Sequence, residues 1–264
     1  MANGIGATRG INHLLDALSP AENLRLVGSL SPVFIPLNTV LTEPDRAIDS
    51  VFFPINGVIS LLAPLEDQTA VEVATVGNEG MVGAPLVRGG SLGFRAVSQM
   101  AGWVIQMPAA LFLDEMARQD HVRELVNDYL AALLAQVAQS AACGLRHSNE
   151  QRLSRWLLMS HDRAGRDVLD ISREFLARLL GVPALTAALS VAILEAGGQI
   201  RYRHGQISIV DRAGLESSSC ECYGAMRRQL DRVAQAAQQR QGSAGPVLAG
   251  RARNGLRSVA STSP

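Results

Sequence analysis

Cationic side chains gather in one part of this chain, in a pattern suited to holding a polyanion. Arg173 and Arg178 lie in one apolar-patterned segment, and Arg201, Arg203 and His204 lie in a short alternating run after it. A guanidinium presents a fork of donors that fits phosphate oxygens, so this grouping suits neutralising a phosphate backbone. Between the two groups Pro183, Ala184, Leu185, Thr186 and Leu189 offer a single hydroxyl and otherwise apolar surface.

Metal and nucleophile chemistry has less support. The chain has three cysteines, Cys143, Cys220 and Cys222, too few for a disulfide framework or a four-thiolate site. Cys220-Glu-Cys222 could be a redox pair or half a metal site, with reduced, unpaired thiols the expected state. His13, His121, His147, His161 and His204 show no ligand spacing, so no metal or other cofactor is expected. His161-Asp162-Arg163 is the compact His/Asp constellation, but its place between helices reads as a charged surface loop. No enzyme is expected.

The elements that must carry the cations run from Ile171 to Ile209. A helix is expected from Ser172 to Leu180, stopping at Gly181, and a second from Pro183 to Ala196 before Gly197-Gly198. The Ser172 hydroxyl can cap the first helix, and Gly181 permits the left-handed corner that a sharp helix–helix turn needs. Gln199 to Ile209 alternates about a His204-Gly205 turn, which predicts a two-stranded wing. An ordinary core hairpin is the alternative for the helix pair alone; with the wing, a winged helix-turn-helix is favoured.

The 264 residues suffice for two domains, and 47% hydrophobic composition suits a globular protein. No apolar run approaches the roughly 18 residues that span a bilayer, and the N-terminus lacks a basic segment followed by an apolar one. No membrane partner and a cytoplasmic location are expected. The net charge of zero conceals an asymmetry of −7 over residues 1–145 against +7 over 146–264, with every basic side chain an Arg. The second half is therefore expected to meet a polyanion.

Ile11 to Leu30 reads as short helices broken at Ser19-Pro20. Val33–Leu41, Ser50–Phe53, Val58–Leu65, Ala70–Val76, Ala96–Met100 and Trp103–Met107 read as strands separated by turn residues, hence a sandwich, barrel or roll. Helices are expected over Ala109–Ala117 and over a long stretch from Val122 to His147. In the latter, Val122, Val126, Tyr129, Leu133 and Gln136 are spaced by 4 or 3, with Leu125, Leu130, Leu134 and Val137 widening the stripe. One stripe can face the roll and the other a second copy, or both can face one core. Arg152–Met159 and Arg212–Gln239 read as further helices. Gln241 to Pro264 lacks periodicity and is expected to be disordered.

Certain segments carry a family likeness. Phe52-Phe-Pro-Ile-Asn-Gly57-Val-Ile-Ser-Leu, Gly77-Asn-Glu-Gly-Met-Val-Gly83 followed by Arg95-Ala96, Arg152-Leu-Ser-Arg-Trp-Leu-Leu158 and Ile171-Ser-Arg-Glu-Phe-Leu-Ala177 occur in this order. Over residues 11–219 the chain resembles the Crp/Fnr family of bacterial transcription regulators. The resemblance implies an α+β chain with a cyclic-nucleotide-binding-like β-roll at 1–120, a dimerisation helix at 121–147 and a winged helix-turn-helix at 148–219. A C-terminal helix is expected at 220–240 and a disordered tail at 241–264.

By the same resemblance, Met81, Val82, Gly83, Ala84, Arg95 and Ala96 fall where the family binds its effector. The DNA-contacting set is Ser172, Arg173, Arg178, Pro183, Ala184, Leu185, Thr186, Leu189, Arg201, Arg203 and His204. The implied partners are double-stranded DNA, a second copy of the chain through residues 122–147, a small-molecule effector and RNA polymerase. Three departures limit the likeness. Ala84-Pro85 follows Gly83 where cyclic AMP binders carry a ribose-holding Glu, and Val137 and Ala138 stand where they carry a polar pair. No cysteine precedes Cys143, which removes the N-terminal iron–sulfur sensor. The second helix lacks the Arg residues with which the family reads bases. A sensory or protein-interaction module with a decayed DNA-binding helix is the competing function.

Overall fold

The computed structural model describes residues 11–66, 69–83 and 93–241. Asn12 caps the short helix α1 (His13–Asp16), accepting from the amides of Leu14 and Leu15, and α2 (Pro20–Leu26) follows. The strands are β1 (Ser31–Ile35), β2 (Val40–Thr42), β3 (Ser50–Pro54), β4 (Val58–Pro64), β5 (Ala70–Val76), β6 (Arg95–Met100) and β7 (Gly102–Pro108). They form two antiparallel sheets, β1-β7-β3 and β2-β6-β4-β5. The single strand expected over Val33–Leu41 is two, because Asn38 takes φ 63° and turns the chain between them. Ile35, Phe52, Ile59, Leu61, Ala74, Val76, Val82, Ala96 and Val104 pack the roll interior.

Helix α3 (Ala109–Arg118) leads into the long α4 (Asp120–Arg146). Val122, Leu125, Val126, Tyr129, Ala132 and Gln136 are buried against the same chain, so the stripe seen in the sequence faces the roll. Tyr129 donates its hydroxyl to the Met81 carbonyl at 2.9 Å, and Gln136 Nε2 donates to the Thr75 carbonyl at 3.1 Å. The outward face of α4 carries Ala131, Leu134, Ala138, Ala141 and Leu145, with Leu134 69% and Leu145 86% exposed.

Helix α5 (Asn149–Ala164) starts at a capping box in which Ser148 and Gln151 bond reciprocally, and extends well beyond the expected Arg152–Met159. Strand β8 (Val168–Asp170), helices α6 (Arg173–Leu180) and α7 (Ala184–Ala196), and strands β9 (Ile200–Arg203) and β10 (Gln206–Ile209) follow. The wing sheet has the order β8-β10-β9, one strand more than expected. The helix expected over Arg212–Gln239 is α8 (Arg212–Ser218) and α9 (Cys222–Gln241), broken at Ser219-Cys220-Glu221. Helix α9 packs along α4, and its Val233 joins the cluster that holds Leu14 and Leu18. The tail expected to be disordered lies, from 242 onward, outside the described residues.

The two halves share a core. Val58 and Met100 of the roll belong to the same apolar cluster as Trp156, Leu157, Phe175, Leu176 and Leu180 of the second half. Burying a large apolar side chain is worth about 1.5–3 kcal/mol, so this junction is a substantial contact.

Candidate nucleic-acid interface

Each end of the helix pair has its own local cause. Ser172 Oγ accepts from the Phe175 amide at 3.1 Å and starts α6. Gly181, at φ 62°, ends it, and α7 leaves at 98° to α6. Phe175, Leu176, Leu179 and Leu180 from α6 meet Ala187, Val191 and Leu194 from α7. Ser190, buried on the inner face of α7, donates to Glu150 Oε1 at 2.7 Å and tethers α7 to α5. That bond holds the Glu150 carboxyl below its usual range.

The outer face of α7 is free. Leu185 is 74% exposed, Leu189 and Ile193 are more than half exposed, and Ala184, Ala192 and Ala196 lie among them. Pro183 is the N-cap without a capping hydrogen bond, and Thr186 is half-buried with its carbonyl accepting from Ser190 Oγ at 3.3 Å. The wing turns at His204 and Gly205, whose φ values of 51° and 78° match the primed turns that join twisted hairpin strands.

The cations flank α7. Arg173 lies over the Tyr202 ring at 5.9 Å, and both line a cleft of about 180 Å³ with Leu176, Ala188, Ala192 and Glu195. Arg178 lies 6.0 Å from the Phe175 ring centroid. Arg203 is held by Glu195 at 2.6 Å, whereas exposed Arg201 makes no ion pair among the described residues. Arg173, Tyr202 and the wing thus border one groove with α7. Arg178 sits a turn further along α6, and Ser172 already uses its hydroxyl as a cap.

In the roll the expected effector residues divide. Met81, Val82 and Ala96 are buried in packed apolar clusters, and their backbone is engaged within the roll: Val82 pairs with Phe52, the Met81 carbonyl accepts from Tyr129 and the Ala96 amide donates to Thr42. Arg95 is half-exposed and paired with Glu43 at 2.8 Å. Gly83 adopts φ 102°, and Ala84 lies outside the described residues. Val137 packs on the roll and Ala138 faces outward, so neither offers a polar group to a base.

The structure also assembles groups that sequence spacing did not reveal. His161-Asp162-Arg163 is not a surface loop but the last turn of α5. Arg212 binds His161 Nδ1 at 2.6 Å and Asp162 at 2.8 Å, and Tyr223 donates to Asp162 at 2.8 Å. Arg163 is buried and pairs with Glu79 at 2.7 Å, also donating to Thr75. Glu79 belongs to the Gly77-Asn-Glu-Gly80 turn. A side chain at Gly77 would meet Arg163 Cδ at 2.6 Å, and one at Gly80 would collide with the Tyr129 ring. The segment resembling an effector cassette is therefore gripped by α5 and α4. Finally Cys143, His147, Cys220 and Cys222, read as separate in the sequence, converge within one cluster. Its thiols are unequal: the hydrogen bond from Cys220, acting against burial, brings Cys143 down to about 5.

With this geometry in hand, residues 151–218 match the model of the Crp-like helix-turn-helix domain. The chain has the Crp/Fnr architecture. Its fold is shared by a protein from Eubacterium rectale described as a Crp/Fnr-family transcriptional regulator, 15% identical, covering 77% of this chain and 96% of that one, with TM-score 0.62. FixK2 from Bradyrhizobium japonicum is 16% identical over 72% and 98%, TM-score 0.61. The c-di-GMP-responsive global regulator CLP from Xanthomonas campestris is 18% identical over 72% and 98%, TM-score 0.57. No curated protein sequence matches the chain. The apolar outer face of α7 lies within the segment that the domain match covers. Among the described residues no single helix is long and apolar enough to cross a membrane.

Proposed function

We propose that this Crp/Fnr-type chain is a homodimeric, effector-responsive transcription regulator that binds duplex DNA through α6, α7 and the wing. The observation that carries this reading is α7 itself, which projects a free face between Arg173 and the wing cations inside a Crp-like helix-turn-helix domain. Arg173, Arg178, Arg201, Arg203 and His204 hold phosphates. Ala184, Leu185 and Leu189 meet thymine methyls, and Thr186 bonds a base edge or phosphate. Residues 1–120 serve as the sensor, 121–147 as the dimerisation helix, 148–219 as the DNA-binding unit and 220–240 as a C-terminal helix. RNA polymerase is the partner of the DNA-bound dimer.

The effector approaches the Gly77–Gly83 turn and Arg95. Cyclic AMP is not the ligand in this reading, because the ribose carboxylate is replaced by Ala84 and sugar hydroxyls would lose water without gaining partners. A ligand that moves the Gly77–Gly80 turn acts on Arg163 and Tyr129 together, and so on the placing of the DNA-binding unit.

Selection of bound fragments from random duplex DNA, followed by binding measurements over a salt series, tests the proposal. Affinity is expected to fall steeply with salt, since phosphate neutralisation releases counterions. Replacing Arg201 and Arg203 together by Ala should weaken all duplexes alike and flatten the salt slope by about one for each phosphate no longer neutralised. Absence of binding to any duplex at low salt would sink it. The apolar face of Leu185, Leu189 and Ile193 then favours a protein-docking module, since apolar side chains at this exposure otherwise lack a partner.

A further inference from the structure

Three thiols and an imidazole from distant parts of the chain meet at the junction between the central helix and the end of the DNA-binding unit. Cys143 lies in the last turn of α4, and His147 is the residue that caps that helix. Cys220 and Cys222 flank Glu221 at the break between α8 and α9. One donor atom from each of the four residues lies within 4.8 Å of every other. Cys143 Sγ is 3.5 Å from Cys220 Sγ, and Cys222 Sγ is 3.6 Å from His147 Nδ1. A tetrahedral zinc ion, with bonds of about 2.3 Å to sulfur and about 2.0 Å to nitrogen, sets its donors roughly 3.5–3.8 Å apart. The four donors already stand near that spacing. An iron–sulfur cluster, which places several irons and sulfides between its thiolates, needs them farther apart.

We propose that Cys143, His147, Cys220 and Cys222 bind one zinc ion, which clamps the end of the DNA-binding unit to the end of α4. Three soft thiolates and one imidazole around a closed tetrahedron are the donor set of a structural zinc site. The surroundings suit that role. The Glu221 carboxylate holds His147 Nε2 at 3.1 Å, so a proton donated there leaves Nδ1, the nitrogen facing Cys222, with its lone pair free. Gln139 Nε2 donates to Cys222 Sγ at 2.9 Å, as second partners of metal-bound thiolates do. All three cysteines are buried and none is in a disulfide, which keeps the site closed to solvent. Three thiolates and a divalent ion leave a charge of −1, and Arg152 and Arg155 supply positive charge beside it. The clamp ties segments 77 residues apart, so the metal's binding energy adds to the stability of the fold.

The test uses the full chain purified in reducing buffer without chelator. Elemental analysis and native mass spectrometry should find one zinc per chain, and cobalt exchanged into the site should give the intense visible absorption of a tetrahedral thiolate complex. The double variant Cys143→Ser/Cys220→Ser should lose the ion. Because losing buried ligands can itself unfold the chain, Glu221→Gln is the second variant: it keeps all four ligands, lies on the surface, and should weaken zinc about 10–100-fold in competition with a chromophoric chelator. Three freely titrating thiols in a folded chain that takes up no added zinc would overturn the proposal. So would a Cys143–Cys220 disulfide in the protein as purified, iron with acid-labile sulfide, or zinc retained by the double Ser variant.

Discussion

Glu72 is the acid on which the contact between roll and DNA-binding unit turns. It accepts from Trp156 Nε1 at 2.8 Å and from Ser60 Oγ, one partner on each side of the junction. Burial raises its carboxyl from the ordinary 4.5 to about 7, despite the hydrogen bond from Ser60 and the positive charge of Arg155, the Trp156 bond and Arg163. The folded chain therefore holds this proton more tightly than the unfolded chain does. The associated stability is complete below about pH 4.5, is lost as pH rises towards about 7, and is flat above. The integral is on the order of 3 kcal/mol. Urea unfolding midpoints between pH 5 and 8 should fall in the parent chain and change less in Glu72→Gln, which keeps an acceptor for Trp156 and does not ionise. Identical pH profiles in the two proteins would show that Glu72 is not the titrating group. Arg163 and Glu79, buried a few residues away, form the fixed counterpart: removing either would leave the other charge unpaired inside the protein.

The helix pair and wing show which elements declare themselves in a sequence. Ser172, Gly181 and His204-Gly205 each act through local geometry, by a capping hydroxyl, a left-handed corner and a primed turn, so their types and spacing carried the motif. Strand β8 did not show, because Val168–Asp170 is too short to display alternation and exists only by pairing with β10. The α8–α9 break was hidden for a related reason, since the polar Ser219-Cys220-Glu221 continues the composition of both helices. The candidate site was legible as a set of cations on α6 and the wing. It was not legible as a groove, nor was the apolar stripe on α7 known to face outward. The Cys/His cluster is a purely tertiary fact, made when α8–α9 returns to the end of α4. The corner itself can be tested. At Gly181 an added Cβ meets only ordinary contacts, with Val71 at 3.8 Å, so the cost of Gly181→Ala comes from its φ of 62° alone. That cost is expected to be about 1 kcal/mol in urea unfolding, with Gly181→Asn milder because Asn tolerates the left-handed region. An Ala variant as stable as the parent would show that α6 can end without it.

At the scale of the molecule, the outward face of α4 is the surface that would meet the second copy proposed above. Val122, Val126 and Tyr129 are already covered by the roll, and α9 lies along another side of the helix. What remains is Ala131, Leu134, Ala138, Ala141 and Leu145, spaced 3, 4, 3 and 4 along the helix. That is the repeat of a two-helix seam, with small residues alternating with leucines so that two helices can approach closely. The proposed dimer surface thus shares only Leu134 with the stripe that dominates the sequence pattern, although it lies on the same helix. In a symmetric pair the seam meets itself, so one substitution acts twice. Leu134→Glu should place two like charges in the dimer contact while leaving the roll core untouched. Sedimentation velocity is expected to show monomers with unchanged helical content by circular dichroism. Binding to a two-half-site duplex should weaken at least tenfold, because the second helix-turn-helix is no longer delivered by the first. A dimer that persists in Leu134→Glu would place the subunit contact elsewhere. Monomers that bind the duplex as tightly as the parent would show that each DNA-binding unit acts alone.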